Sequence, residues 1–293
     1  MAKASIPVYD ICAFDHQSQK DLLVERFSSY LEKHYHNLHH PHRHSFFHMV
    51  LFTKGKGFHN IDFEKFPVHP FQIYFMVPGQ VHSWSFEGAV EGYIVHFNDV
   101  LFTSFLQNAH YLERFHFFRG IASESVCQLP VATHDSVTDL FESMLKEVKE
   151  RKEENLDVIR LKLLELFITV DRNCTHKKSR NIPSQKLMVL RNYQQLIDKH
   201  YRTLKLPKEY AELLYITPNH LNALCQDLMG KTAGDLIRER VLLEAKRLLT
   251  NDDMKVTEIA YDLNFQDNSY FNRYFRKNVG VTPDEFRKKI IHQ

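Results

Sequence analysis

Histidines are concentrated in one short stretch of the chain: seven of the nineteen lie between residues 34 and 48. In the run HRHSFFH, the side chains of His42, His44 and His48 share one parity along an extended strand, so they would face the same side. His82 follows in the run PGQVH. Imidazole suits Fe, Mn, Ni or Zn as a ligand, and it titrates near pH 6. The spacing indicates a metal site or a protonation-sensitive cluster; the alternative is a set of partly solvated histidines at a barrel mouth.

Apolar side chains near these histidines could line a pocket. They are Phe46, Val50, Phe52, Phe75, Trp84 and Tyr93. A small number of polar groups in such a pocket would orient a small ligand. The predicted ligand-binding set is His42, His44, His48, His82, Trp84 and Tyr93. The alternative is that the aromatic residues are ordinary core residues.

Residues 46–97 contain five short β-rich runs, and the strands that these runs predict would position the side chains named above. They are FFHMVLFT, GFHNIDF, QIYFMV, VHSWSF and GYIVHF, separated by segments that contain Gly, Pro or both. Such spacing is typical of a small antiparallel barrel or sandwich. After Thr133 the apolar residues recur at three- and four-residue steps, which predicts two amphipathic helices between Asp135 and Arg172. These helices either only cover one sheet face or also form a dimer contact.

A second candidate site lies in the C-terminal third, where the chain repeats itself. Ala211 aligns with Ala260 at a shift of 49 residues, and Gly230 aligns with Gly280 at a shift of 50. The single insertion falls in a turn. Each copy predicts a helix, a tight turn and a second helix, and the glycines suit helix C-termini.

The predicted helix ends support two helix-turn-helix units. Thr217 with Pro218 begins the second helix of one copy, and Asp267 begins that of the other. Asn264 occupies a turn position that favours a left-handed backbone. The intervening run DLIRERVLLEAKRLL predicts a helix of about fifteen residues, roughly 22 Å long. Such a helix could hold both second helices for successive major grooves of DNA; a helical interaction domain without a nucleic-acid role is the alternative.

Composition limits the class of protein. A length of 293 residues corresponds to about two domains. No apolar run approaches the ~18 residues of a membrane span, and the N-terminus lacks the apolar core of a secretory signal. The four cysteines (Cys12, Cys127, Cys174 and Cys225) form no CxxC pair. We therefore expect a cytoplasmic protein with free thiols.

Charge is distributed unevenly along the chain. Residues 1–132 carry 10 basic and 12 acidic side chains, a net charge of −2. Residues 184–293 carry 18 basic and 14 acidic side chains, a net charge of +4. The positive end coincides with the repeated helices, which favours a polyanionic partner there.

From about Leu187 to Ile290 the chain resembles the DNA-binding domain of AraC/XylS-type transcription regulators. The most specific part is RERVLLEAKRLL followed by VTEIAYDLNFQDNSYFNRYFRKNVGVTPDEFR. The segment from PHRHSFFHMVLFTKGKGF to VPGQVHSW resembles the cupin-like sensor domain of many members. The resemblance implies a dimeric activator or repressor, not an enzyme, that responds to a small-molecule effector or a partner and works with RNA polymerase.

The cupin resemblance also defines the competing hypothesis, a metal-binding protein or enzyme with a helical appendage. Cupin metal enzymes use HxH, a following Glu and a later His. Here His48 stands at the Glu position, and Phe86 stands where an Asn is expected. We therefore predict no cofactor, with His42, His44, His48 and His82 as weak metal candidates.

The resemblance assigns the DNA-contacting positions. They are Asn219, His220, Asn222, Ala223 and Gln226 in the first recognition helix, and Asn268, Ser269, Asn272, Arg273 and Arg276 in the second. Asn and Gln pair with adenine, so the first helix should favour A·T pairs. The basic second helix should combine base reading with phosphate contact. Lys186, Arg191, Lys205 and Lys231 are further candidate phosphate contacts.

The predicted fold class is α+β with two domains: an antiparallel cupin-like β-barrel with following helices, then an all-α tandem helix-turn-helix domain. The predicted segments are a sensor over residues 1–132, a helical pair for dimerisation over 133–172, a linker over 173–184 and a DNA-binding domain over 185–293. The helix-turn-helix units are predicted at 207–229 and 256–279. The expected partners are double-stranded DNA, a second copy of the chain and RNA polymerase, without a membrane.

Overall fold

A computed structural model describes residues 6–14, 21–106, 108, 111–150, 152–174, 184–250 and 254–291. Most of the predicted linker, residues 175–183, lies outside these ranges. The chain divides into two compact units, Pro7–Lys177 and Lys178–Gln293. The first is a β-barrel with accompanying helices and the second is all helical, so the predicted fold class is confirmed.

The barrel consists of two five-stranded sheets in the described part of the chain, with strand orders β1-β3-β8-β5-β6 and β10-β7-β4-β9-β2. The strands are β1 (Val8–Tyr9), β2 (Leu22–Arg26), β3 (His42–His44), β4 (Phe47–Lys54), β5 (Gly57–Ile61), β6 (Glu64–Pro67), β7 (Gln72–Met76), β8 (Val81–Phe86), β9 (Glu91–Phe97) and β10 (Val126–Gln128). Pairing is antiparallel except between β1 and β3. Each of the five predicted β-rich runs contains one strand.

Both faces of the second sheet are buried, which explains why β4 and β9 are almost continuously apolar. Successive residues point to opposite faces. Val50 and Ile94 therefore belong to the barrel interior, whereas Leu51 and Val95 belong to the outer face.

Helices cover the outer face of this sheet. They are α2 (Val100–Leu106), α3 (His134–Glu150) and α4 (Asn155–Asn173). The predicted apolar stripes of α3 and α4, represented by Phe141 and Phe167, join the strands in one core. The pair therefore covers a sheet face, while its predicted role in dimerisation stays a prediction.

Two helices of this unit, α1 and α2, were not predicted. α1 (Phe27–Leu38) follows β2 directly, and Phe27 and Tyr30 are completely buried in the barrel interior. The segment FSSYLEKHYHNL is half polar, and a helix of only 12 residues is stabilised mainly by packing of its apolar face against the rest of the protein.

The expectation of four free thiols is wrong for two of them. Cys127 and Cys174 form a disulfide, with Cα atoms 5.8 Å apart. Cys127 lies on β10 and Cys174 ends α4, so packing of the helix against the sheet brings together residues 47 positions apart. Cys12 and Cys225 are free.

The second unit contains seven helices in its described residues. They are α5 (Ser184–His200), α6 (Pro207–Leu213), α7 (Pro218–Met229), α8 (Ala233–Leu249), α9 (Val256–Asp262), α10 (Asn268–Val279) and α11 (Pro283–Ile291). α6 with α7 and α9 with α10 form the two helix-turn-helix units. Ala211 and Ala260, the aligned small residues, are completely buried at the centre of a shared core.

The turns of the two copies have the same unusual backbone. Asn264 has φ +58°, as predicted, and Tyr215 at the equivalent position has φ +55°. Tyr215 is 96% exposed, so its side chain gains no packing there. A left-handed backbone costs a residue with a Cβ roughly 1–2 kcal/mol.

We predict that Tyr215→Gly stabilises the helical unit by about 0.5–1 kcal/mol, because relief of backbone strain exceeds the extra unfolded-state entropy of glycine. Thermal unfolding followed by circular dichroism at 222 nm tests this, with fluorescence of Trp84, the single tryptophan, reporting the barrel separately. Tyr215→Ala is the matched control and should give no gain. Equal stabilisation by both changes would contradict the strain argument.

Candidate functional site

The first recognition helix, α7, turns a polar face outward. Its start is capped by Thr217, whose Oγ1 accepts a hydrogen bond from the His220 N–H at 3.1 Å, and it ends at Gly230 with φ +67°. The apolar stripe is buried through Leu221, Leu224 and Cys225. The exposed face carries the predicted residues Asn219, His220, Asn222, Ala223 and Gln226.

The second recognition helix, α10, has the same construction with a different charge. Asp267 caps it by accepting a hydrogen bond from the Tyr270 N–H at 2.6 Å, and Phe271 and Phe275 anchor it in the core. Ser269, Arg273 and Arg276 are exposed, whereas Asn268 and Asn272 are half-buried.

Two of the predicted base-reading amides, Asn222 and Asn272, have close partners within the protein, and Gln226 Nε2 donates to the Gly230 carbonyl oxygen at 3.5 Å. The Ala233 N–H donates to Asn222 Oδ1 at 3.1 Å, which joins α7 to the start of α8. Asn272 Nδ2 donates to the carbonyl and side-chain oxygens of Asn268 at 2.8 and 3.0 Å. These bonds reduce the freedom of both amides to pair bidentately with a base.

The arginines of α10 have no such restraint. Arg273 and Arg276 form no ion pair with any residue that the structure describes, and Lys277 beside them is also exposed. Basic side chains without an ion pair to a described residue therefore lie on α10, whereas α7 has no Lys or Arg.

The helix between the two helix-turn-helix pairs, α8, is fixed at several points. Its first turn has a capping box between Thr232 and Asp235. Arg240 binds the carboxylates of Asp198 and Glu244 at 2.9 and 3.0 Å and stacks over Tyr201 at 3.9 Å. α8 has 17 residues, corresponding to about 25 Å.

The predicted phosphate contacts are less available than expected. Lys186 pairs with Asp227 at 2.9 Å and Lys231 with Glu239 at 2.7 Å. The Lys205 ammonium donates to the backbone carbonyls of Tyr201 and Arg202, and burial lowers its pKa to about 8. Lys205 therefore binds the turn that follows α5. The side chain of Arg191 lies outside the described set.

Among the described residues, the barrel interior contains six buried histidines, two more than the sequence indicated. They are His42, His44, His48, His59, His82 and His96, none more than 2% exposed. The interpretation as partly solvated groups at a barrel mouth is therefore wrong. His59 and His96 were missed, although strand parity could have found them: His96 is two residues from inward-facing Ile94.

The shared orientation of the predicted histidines is confirmed, but not within one strand. His42 and His44 lie on β3 in the first sheet, and His48 lies on β4 in the second. Ser45 and Phe46 separate the strands without changing parity. Register places His82 opposite His42 and His96 opposite His48.

The six rings form a continuous cluster. Ring centroids are 4.1 Å apart for His42 and His82, 4.7 Å for His44 and His82, and 4.9 Å for His42 and His44. One ring nitrogen from each of these three lies within 4.8 Å of the others.

His59 is linked to this group by a pair of nitrogens, whereas His48 and His96 are paired with each other and contact the group through their rings, with His48 and His82 centroids 5.1 Å apart. His59 Nε2 is 3.1 Å from His82 Nδ1, and His48 Nδ1 is 3.0 Å from His96 Nε2. The remaining nitrogen of each of these four rings has no partner among the described residues.

All six imidazoles are held neutral at pH 7. Burial lowers the pKa of His42 to about 4 and that of His48 to about 3. Burial, with repulsion between the rings, lowers the other four pKa values well below the usual range. The cluster therefore does not titrate near pH 6 in the folded protein, contrary to the protonation-switch hypothesis.

The predicted pocket residues lie on two faces. Trp84 is in the interior with the histidines, and its Nε1 has no described partner. Tyr93 and Phe75 belong to the outer face. The Tyr93 hydroxyl donates to Glu142 and accepts from Arg26, and its ring stacks on Phe141 at 4.9 Å. Tyr93 therefore does not share a site with the histidines.

Both units match known families. A family model described as an AraC-like ligand binding domain matches residues 28–166, and one described as a helix-turn-helix domain matches residues 210–289. The chain belongs to the AraC family of transcription regulators. The two matches correspond to the barrel unit and to the tandem helices.

Individual AraC-family relatives match parts of the chain. It is 35% identical over 97 residues to the uncharacterized regulator YijO of Escherichia coli, covering 33% of this chain and 34% of YijO. It is 38% identical over 69 residues to the probable transcription factor PqrA of Proteus vulgaris, covering 24% and 57%. These matches span less than two thirds of either relative. The activator RhaR of Yersinia pestis is 18% identical over 254 residues, 85% of each chain.

Solved structures show similar likenesses. The C-terminal domain of AraT, a response regulator from Geobacillus stearothermophilus, is 26% identical and covers 38% of this chain and 88% of that one, with a TM-score of 0.33. ToxT from Vibrio cholerae, solved with a bound unsaturated fatty acid, is 12% identical over 92% of this chain and 96% of its own, with a TM-score of 0.42. Among the described residues, no helix combines the length and hydropathy needed to traverse a bilayer.

We predict that chelator-treated protein loses barrel stability as the pH falls from 6.5 to 5. The unfolded chain binds protons near the usual histidine pKa of about 6.5, whereas the folded cluster does not, so each ring contributes a slope of about 1.4 kcal/mol per pH unit. Above pH 7 these groups contribute no dependence. Urea unfolding followed by Trp84 fluorescence measures this.

The double variant H39A/H40A, which removes two exposed histidines, should keep the slope. His96→Gln should reduce it by roughly one ring's share. A midpoint that does not move between pH 7 and pH 5.5 would show that the folded cluster takes up protons to the same extent as the unfolded chain, which contradicts the prediction.

Proposed function

We propose that this protein binds double-stranded DNA sequence-specifically through α7 and α10 and regulates transcription in response to a ligand in the barrel. The observation that carries the proposal is the pair of capped helices with outward polar faces, joined by a fixed α8. In helix-turn-helix proteins the second helix of each unit enters the major groove. Two helix-turn-helix pairs in one chain would read successive major grooves of the DNA.

The two helices would divide the work. Arg273, Arg276 and Lys277 supply positive charge, so α10 would provide most of the affinity through phosphates and guanine edges. α7 would provide A·T selectivity through Asn219 and Gln226, because its amides carry no charge. Asn222 and Asn272, already bonded within the protein, would position the helices as well as contact DNA.

The ligand proposal rests on the barrel interior. Polar atoms without described partners, including the Tyr30 hydroxyl, Trp84 Nε1 and several imidazole nitrogens, lie among apolar rings. Such a mixture suits a small effector with a few polar groups. No residue is assigned a catalytic role.

We also infer a dimer in the cytoplasm that acts on RNA polymerase. Leu161 on α4 is 58% exposed and lies on the helical layer that the sequence analysis assigned to self-association. A second copy would double the number of recognition helices, with avidity set by the reach between them.

Selection of bound duplexes from a random pool, using the full chain, tests the DNA proposal. We expect a two-part site whose halves are about one helical turn apart, 10–10.5 base pairs. One half should be A·T-rich because α7 carries amides only. Recovery of no consensus, or of a single continuous motif, would contradict tandem reading.

We predict that Arg273→Ala weakens binding to the selected site by about 1–3 kcal/mol, roughly 5- to 150-fold. Fluorescence anisotropy at several salt concentrations measures this, and the salt slope should become shallower if a phosphate contact is lost. Arg273→Lys keeps the charge and should recover part of the affinity. Asn222→Ala should cost less; equal losses from Asn222→Ala and Arg273→Ala would contradict the asymmetry between the helices.

A further inference from the structure

We propose that the barrel interior binds one divalent transition-metal ion through the imidazoles of His42, His44 and His82. This goes beyond the proposed function, because it requires neither DNA nor a second subunit. It rests on the side chains that converge inside the barrel.

His42 is arranged as a metal ligand. Its Nδ1 is 2.8 Å from the His40 carbonyl oxygen, so Nδ1 carries the proton and donates it. Nε2 is then an unprotonated nitrogen, buried and without a described partner. Metal-bound histidines almost always donate their other N–H to a carbonyl or carboxylate in this way, which holds the ring in position.

His82 is arranged similarly, with an imidazole in place of the carbonyl. Its Nδ1 is 3.1 Å from His59 Nε2, and its own Nε2 is buried without a partner. His59 therefore orients His82. In the tautomer in which His82 Nδ1 donates to His59 Nε2, the His82 Nε2 lone pair is left for an ion, and metal binding selects that tautomer. Neither nitrogen of His44 has a described partner.

The three nitrogens are close enough to share an ion. One ring nitrogen from each of His42, His44 and His82 lies within 4.8 Å of the other two. Metal–nitrogen bonds of about 2.0–2.1 Å keep two ligand atoms no more than about 4.2 Å apart. Side-chain movements of less than about 1 Å close this difference. An ion would satisfy three buried nitrogens that otherwise remain without a hydrogen bond, which is costly in a dry interior.

The donor set selects the class of ion. All three ligands are neutral nitrogens, and no carboxylate belongs to the group among the described residues. Imidazole suits Zn²⁺, Ni²⁺, Cu²⁺ and Fe²⁺, whereas Ca²⁺ and Mg²⁺ require oxygen ligands.

The test uses the full chain stripped with a chelator and then equilibrated with Zn²⁺ or Co²⁺ in the absence of DNA. After dialysis, elemental analysis should give one ion per chain, and Co²⁺ should give visible bands of a low-coordinate nitrogen site. Metal should also raise the unfolding temperature reported by Trp84 fluorescence, because an ion bound only by the folded state stabilises it. Mg²⁺ should have no effect.

Variants assign the ligands. His42→Asn and His82→Asn should each weaken Zn²⁺ binding by at least about 100-fold, since changes to supporting residues alone cost 10- to 100-fold. The exposed pair His39 and His40 offers a competing surface site, so H39A/H40A is the matched control and should keep the stoichiometry. The His40→Ala change removes only a side chain, so the His40 carbonyl oxygen still accepts the hydrogen bond from His42 Nδ1.

The outcomes are distinct. A wild-type chain without stoichiometric Zn²⁺ or Co²⁺ overturns the proposal, as does binding that H39A/H40A abolishes but His82→Asn does not. If the ligand variants fail to fold, X-ray absorption of the wild-type Co²⁺ protein counts the imidazoles, and fewer than three overturns the site. Failure to select a DNA sequence would leave all these measurements unchanged.

Discussion

Exclusion of water from a barrel that contains six imidazoles is the constraint on which the N-terminal unit depends. β4 and β9 are buried on both faces, so α3 and α4 cover one side while the other side encloses His48, His96 and their neighbours. A charged ring in this interior would lose its hydration without a counter-charge. The rings therefore stay neutral, and several of their nitrogens find no partner. That shortage of partners is the basis of the proposals that the barrel binds an ion or a polar ligand.

In the helical unit, by contrast, polar groups are either hydrogen-bonded locally or exposed on the surface. Backbone N–H groups at helix starts are satisfied locally by Thr217, Asp235 and Asp267. The remaining polar side chains of α7 and α10 face outward, and the cations of α10 are left without ion pairs to described residues. A surface built like this gains most from a polyanion, because neutralising it displaces counterions and requires no internal rearrangement. The two units thus differ in where their unpaired polar groups lie. In the barrel they are in the interior, and in the helical unit they are on the surface.

Much of this arrangement was predictable. The five β-rich runs each contain a strand, the caps at Thr217 and Asp267 form the predicted hydrogen bonds, and Asn264 has the predicted left-handed backbone. The failures share a cause. Assignment of Tyr93 to the pocket, the omission of α1 and the expectation of a free Cys174 each required knowledge of which sheet face or helix lies opposite, and that knowledge is not contained in a local pattern.

The amino-acid sequence alone therefore established the features that depend on contacts within about four residues: strand and helix periods, N-caps, glycine helix ends and the duplicated helix-turn-helix pattern. Tertiary structure was needed for the convergence of groups distant in the chain. His42 meets His82 through the register of β3 and β8, and His59 and His96 join them because two sheets close on one another. Register and sheet packing are set by the burial of many side chains at once, so no short segment specifies which histidines share an interior or which of their nitrogens are left for a ligand.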